Sequence, residues 1–156
     1  MNRRWLENIR FRHDPNCAIL YYRMITKISQ FAILVHDYDE AISFYCEKLG
    51  FRLLEDQKLP KKRWVRIAVD DHTALLLSRA TDSGQAQMVG KQAGGRVLLY
   101  LHTDNIETEV LRLKNLKVKI SEEIRVEEYG KVAVIEDLYG NRIDLIEPAF
   151  SPQSMN

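Results

Sequence analysis

The sequence predicts an α+β fold made of two tandem β-α-β-β-β modules. Three observations carry that expectation. Short apolar runs alternate with polar residues at the period of two that a half-buried strand requires. Two longer runs place apolar residues at helical spacing instead. The same order of elements then recurs at a constant shift of 68 residues.

The first module begins with "ISQFAILV", alternating and rich in β-branched residues, which reads as a strand. Asp37 follows as a helix cap, and Glu40 stands where a capping box needs its acid. Ile42, Tyr45 and Leu49 share one helical face, and Gly50 ends the helix. Three strands come next: "FRLLED", "RWVRIAV" and "TALLLSR", the last two joined at Asp70-Asp71-His72. In the second module "GGRVLLYLHTDN" holds a strand, and "IETEVLRLKNL" a helix with Ile106, Val110 and Leu113 on one face. "KVKISE", "KVAVIE" and "NRIDLIE" complete it. Ile42 matches Val110, Tyr45 matches Leu113 and Leu77 matches Leu145 without an insertion.

These elements divide the chain into an arm or over-extended start (1–23), a first module (24–80), a joining segment (81–95), a second module (96–148) and a tail (149–156). The arm holds five arginines against Glu7 and Asp14 and lacks periodicity, and Met24 opens the regular pattern. The joining segment, "ATDSGQAQMVGKQAGG", is Gly/Gln-rich and reads as a loop with some helical character.

Composition narrows the function classes. With 46% hydrophobic and 29% charged residues in 156, the chain is an ordinary globular protein of one domain or two small fused units. A net charge of +1 gives no electrostatic case for nucleic acid or for an anionic membrane. No apolar run approaches the ~18 residues of a membrane span. The arm lacks the continuous apolar core of a secretory signal. Cys17 and Cys46 are too few for a disulfide framework, so a reducing cytoplasmic setting is expected.

Two motifs go further. "VHDYDEAISFYCEKLGF" after the first strand and "EDLYGNRIDLIEP" at the close resemble the vicinal oxygen chelate superfamily. That group holds glyoxalase I, extradiol dioxygenases, fosfomycin-resistance enzymes and bleomycin-binding proteins. The resemblance spans about Met24 to Pro148 and implies a ligand cleft between two curled sheets, often within a homodimer. It marks the fold strongly and the chemistry weakly, because one fold hosts many reactions.

Strand alternation assigns the faces. Phe31, Ile33, Val35, Val65, Ile67, Val69, Leu75, Leu77, Val97, Leu99, Leu101, Ile143 and Leu145 are expected beneath the helices. The opposite phase, facing the cleft, includes Gln30, Trp64, Arg66, Arg96, Tyr100, Val132, Val134, Arg142 and Asp144. The ligand-contacting set is expected to be Gln30, Trp64, Arg66, Arg96, Tyr100, Arg142 and Asp144. Three arginines facing one aspartate predict a net positive cleft suited to a small planar or anionic molecule, the two aromatics stacking on it. Asp144 either contacts that ligand or neutralises an arginine.

The resemblance implies a metal site with one position on each of four strands, here Gln30, Leu76, Leu98 and Asp144. A divalent site needs three or more protein donors, and two leucines offer none. The expectation is therefore a small-molecule-binding protein with no cofactor. The alternative is a metal-dependent lyase, isomerase or dioxygenase whose metal site is degenerate or relocated, for example onto His102 with Asp144. His36 and His102 otherwise read as solvated strand ends, Cys46 as inert, and the run Lys61, Lys62, Arg63 as a solvated turn.

Overall fold

The computed structural model describes residues 27–149, so the arm, Cys17 and residues 150–156 lie outside the described residues. The first module runs β1 (Gln30–Val35), α1 (Tyr38–Ile42), β2 (Arg52–Leu59), β3 (Lys62–Ala68) and β4 (Ala74–Arg79). Helix α2 (Ser83–Met88) lies in the joining segment, and its start is capped by Asp82. The second module runs β5 (Val97–His102), α3 (Ile106–Asn115), β6 (Lys119–Glu127), β7 (Gly130–Glu136) and β8 (Arg142–Pro148). The strands form two four-stranded mixed sheets, ordered β1-β4-β3-β2 and β5-β8-β7-β6. In each, the first strand pairs parallel with the last and the middle strands pair antiparallel. The repeat holds at the level of register. Leu76 lies between Ala32 and Arg66, and Asp144, 68 positions on, lies between Tyr100 and Val134.

One apolar core serves both modules. Ile33, Val35, Tyr45 and Leu77 join Ile106, Leu113, Ile135 and Ile143 in a single buried cluster. Burying each such side chain contributes about 1.5–3 kcal/mol, which makes this shared layer the main force joining the halves. Helix α1 continues as a π-helical segment, Ser43–Lys48, where i→i+5 pairing carries Phe44 and Tyr45 into the core.

Polar contacts register the modules against one another. Asp137 is buried in the turn between β7 and β8, and its carboxylate accepts four hydrogen bonds. The donors are the Tyr45 hydroxyl at 2.6 Å, the amide nitrogens of Tyr139 and Asn141 at 2.8 Å each, and Asn141 Nδ2 at 2.7 Å. Burial, then the Asp137 charge, pushes the Tyr45 phenol well above its usual value, so it stays a neutral donor. The capping box is completed differently from expectation. Asp37 accepts from the amides of Asp39 and Glu40, which lowers its pKa, while its own N–H donates to Tyr139 Oη of the second module. Gln92, in the joining segment, accepts from Leu34 N–H at 2.6 Å and so covers the open edge of β1 where another strand could pair.

Three expectations about strand faces need correction. Phe31 is 51% exposed and Val69 54%. Phe31 opens an edge strand and Val69 lies beyond the end of β3, so neither is flanked by strands on both sides. Val132 and Val134, expected to line an open cleft, are fully buried. Charged residues of β6 and β8 flank them in register, as the site geometry shows.

Candidate functional site: the sheet faces opposite the core

Opposite the core, each sheet presents a face built from the alternate residues. On the first, Ala32, Leu76, Arg66 and Glu55 lie in one row across β1, β4, β3 and β2. Glu55 organises this row. One carboxylate oxygen takes the Arg66 guanidinium, and the other accepts the Trp64 indole N–H at 3.0 Å. Trp64 is half-buried with its ring plane held by that bond, and Lys62 sits over it at 4.8 Å.

On the second face the equivalent row is Tyr100, Asp144, Val134 and Glu122. Glu122 bridges two cations. It binds Arg142 through one oxygen and Arg125 through the other, at 2.8 Å, and Arg125 also reaches Glu127 at 2.8 Å. Asp144 is only 7% exposed. Burial raises its pKa, with Glu122 adding to the effect and Arg125 and Arg142 opposing it. Tyr100 is 65% exposed and offers an open ring surface.

The expected net positive cleft is overturned. Arg66 is matched by Glu55, and Arg125 and Arg142 stand against Glu122, Glu127 and Asp144. Arg96 does not join them. It is exposed in the bend before β5, where an extra residue at Leu98 shifts the phase, so that Val97 rather than Arg96 is the register partner of Arg142. Gln30 sits half-buried at the start of β1, beside Ala74. Sequence reasoning missed Glu55, Glu122 and Arg125 altogether. Strands β2 and β6 are edge strands with register breaks at Leu53/Glu55 and between Ile120 and Arg125, so no single alternation reveals their faces.

Among the described residues, three buried side-chain atoms lack a hydrogen-bond partner: Arg66 Nε, Arg142 Nε and Asp144 Oδ1. Arg66 belongs to the first sheet, and Arg142 and Asp144 to the second. Buried polar atoms are ordinarily satisfied, because leaving one unpaired costs about 1–3 kcal/mol.

Comparison with known proteins agrees with this architecture. Residues 27–145 match the family model of the Glyoxalase/Bleomycin resistance protein/Dioxygenase superfamily. An uncharacterized protein of Shewanella frigidimarina (strain NCIMB 400) is 43% identical over 128 residues, 80% of this chain and 95% of that one. The crystal structure of UcmS2 aligns with TM-score 0.70 and 27% identity, over 80% of this chain and 99% of that one. That of TnmS3, an antibiotic binding protein from Streptomyces sp. CB03234, aligns with TM-score 0.68 and 29% identity, over 82% and 100%. An α+β chain of two β-α-β-β-β modules, each with a four-stranded mixed sheet, is the class that the fold defines. The chain belongs to the Glyoxalase/Bleomycin resistance protein/Dioxygenase superfamily.

Of the four positions expected for the superfamily's metal, Gln30, Leu76, Leu98 and Asp144, the two leucines supply no lone pair, and Leu98 packs against the core at the irregularity in β5. Among the described residues no three His, Cys, Asp or Glu side chains form a group able to hold a metal ion. His102 is exposed at the end of β5. Cys46 is a free thiol whose pKa is raised by burial and by Glu47, which lowers its nucleophilic fraction.

A pH dependence follows from Asp144. Its folded-state pKa lies above the unfolded one, so between the two values the folded chain holds more protons and stability falls as pH rises. Asp144→Asn removes that loss. The variant should be the more stable at neutral pH, the difference vanishing below the unfolded carboxylate value of about 4. Paired urea titrations across that range check it, and a variant less stable than the parent at neutral pH contradicts it.

Proposed function

We propose that this protein binds a small, planar, uncharged organic molecule on the sheet faces opposite the core, without a divalent metal and without catalysis. The carrying observation is the set of orphaned atoms, Arg66 Nε, Arg142 Nε and Asp144 Oδ1. On the first face a ligand would offer an acceptor to Arg66 Nε, and on the second an acceptor to Arg142 Nε and a donor to Asp144 Oδ1, while Trp64 and Tyr100 supply stacking surfaces. With the arginines already matched by acids, the anionic ligand expected from the sequence loses its warrant. An antibiotic is the ligand class that the likeness to TnmS3 suggests. The half-open faces support a homodimer in which each face is completed by the other module or by a second copy. The free Cys46 and the absence, among the described residues, of any helix long and apolar enough to cross a membrane accord with a cytoplasmic setting.

The test combines metal analysis, light scattering and fluorescence on the purified protein. The expected results are well under one equivalent of metal, a dimer mass, and quenching of Trp64 by aromatic carboxamides more strongly than by the matching carboxylates. Arg66→Leu should weaken carboxamide binding by about 1.5–3 kcal/mol, the scale of a hydrogen bond to a charged group. Stoichiometric zinc, nickel, manganese or iron would revive the lyase, isomerase or dioxygenase reading. Tighter carboxylate binding would return the anionic ligand, and a monomer mass would remove the dimer.

A further inference from the structure

The run Lys61, Lys62, Arg63 does not end in a simple solvated turn. It forms one wall of an open depression of about 500 Å³ between the β2–β3 hairpin, the start of α1 and the end of β4. This volume falls within the usual range for small-molecule sites, about 300–1,000 Å³. The depression lies apart from the row of Arg66 and Leu76 and shares no residue with it.

Its lining is cationic. Lys58, Lys61, Lys62, Arg63 and Arg79 line it, with the Lys62 ammonium over the Trp64 ring, against two carboxylates, Asp37 and Asp39. Both acids are already engaged. Asp37 caps α1, and Asp39 binds Arg63 at 2.8 Å. Arg63 also takes Asp56 in a two-pronged pair at 2.7 Å, which fixes its guanidinium. Among the described residues, Lys58, Lys61, Lys62 and Arg79 have no carboxylate within ion-pair distance. Two guanidinium groups, of Arg63 and Arg79, stand 5.5 and 6.0 Å from the centroid of one ring, Tyr38, whose hydroxyl is anchored on the Arg63 carbonyl at 3.1 Å. Like charges gathered around one hollow repel each other, and a bound polyanion would reverse that cost.

We infer that this depression is a second binding site, for a phosphorylated small molecule carrying two or more negative charges. Arg79 presents a planar donor fork suited to phosphate oxygens, Arg63 being held by Asp39 and Asp56, and the flexible lysines close over the remaining charge. Leu59 and the Tyr38 ring leave an apolar flank for the organic part.

The probe is inorganic pyrophosphate, followed by backbone amide NMR at low ionic strength, where exposed charges are least screened. Saturable shifts are expected at Tyr38, Lys61 to Arg63 and Arg79 to Thr81, with Tyr100 and Asp144 unmoved. The double variant Lys58→Gln with Arg79→Gln removes two exposed cations and no core contact. It should weaken pyrophosphate binding about tenfold or more, the equivalent of one lost charged hydrogen bond. Shifts no larger than those from chloride at matched ionic strength would overturn the site. So would unchanged affinity in the double variant, or shifts centred on the sheet faces opposite the core. Quenching by carboxamides should survive the double variant, so failure of this site and failure of the proposed function read out separately.

Discussion

Asp137→Ala should destabilise the protein by about 3–5 kcal/mol in urea denaturation, the scale expected when one partner of a buried charged network is removed. The carboxylate accepts from Tyr45 Oη on the π-helical segment of the first module, and from Asn141 Nδ2 and two backbone amides of its own turn, at 2.6–2.8 Å. Alanine leaves the Tyr45 hydroxyl and the Asn141 amide buried without acceptors. Tyr45→Phe removes only one donor to the carboxylate while keeping the ring packed, so about 1.5–3 kcal/mol is expected there. The contrast separates a network from a single bond. Equal losses in the two variants would show that Asp137 contributes no more than its bond to Tyr45.

Gly90→Ala should cost about 2–4 kcal/mol, from left-handed strain together with overpacking against backbone. Gly90 has φ +77°, and a Cβ there would sit 1.9 Å from the Tyr139 carbonyl oxygen, a contact that only a backbone shift relieves. That shift would pull on the turn holding Asp137 and on Val89, which is buried beside it. Gly94 is the internal control. It too has positive φ, +60°, but a Cβ meets nothing within 4 Å, so Gly94→Ala should cost about 1 kcal/mol. If thermal melts of the two variants coincide, the joining segment is not seated on Tyr139 as the geometry indicates.

Both substitutions fall on motifs that the sequence displays without explaining. The run "DLYGN" is visible as a turn, yet its meaning depends on Tyr45, 92 positions away in the chain. Gly90 reads as part of a Gly/Gln-rich connector, and only the approach of Tyr139 shows why a side chain is not tolerated there.

By itself the sequence determined the element order, the 68-residue repeat, and the faces of the strands where Ile33, Ile67, Leu77 and Ile143 are buried. Those features follow from periodicity, which is local and survives in a single chain. Tertiary structure alone decided the charge of the sheet faces opposite the core. Glu55, Glu122 and Arg125 reach them from bulged edge strands, where one extra residue reverses which way a side chain points. It also decided that Arg96 stays outside and that Lys58, Lys61 and Arg79 gather around one hollow. Ion pairing depends on distances of a few ångströms between segments far apart in sequence, and alternation along one strand carries no record of them.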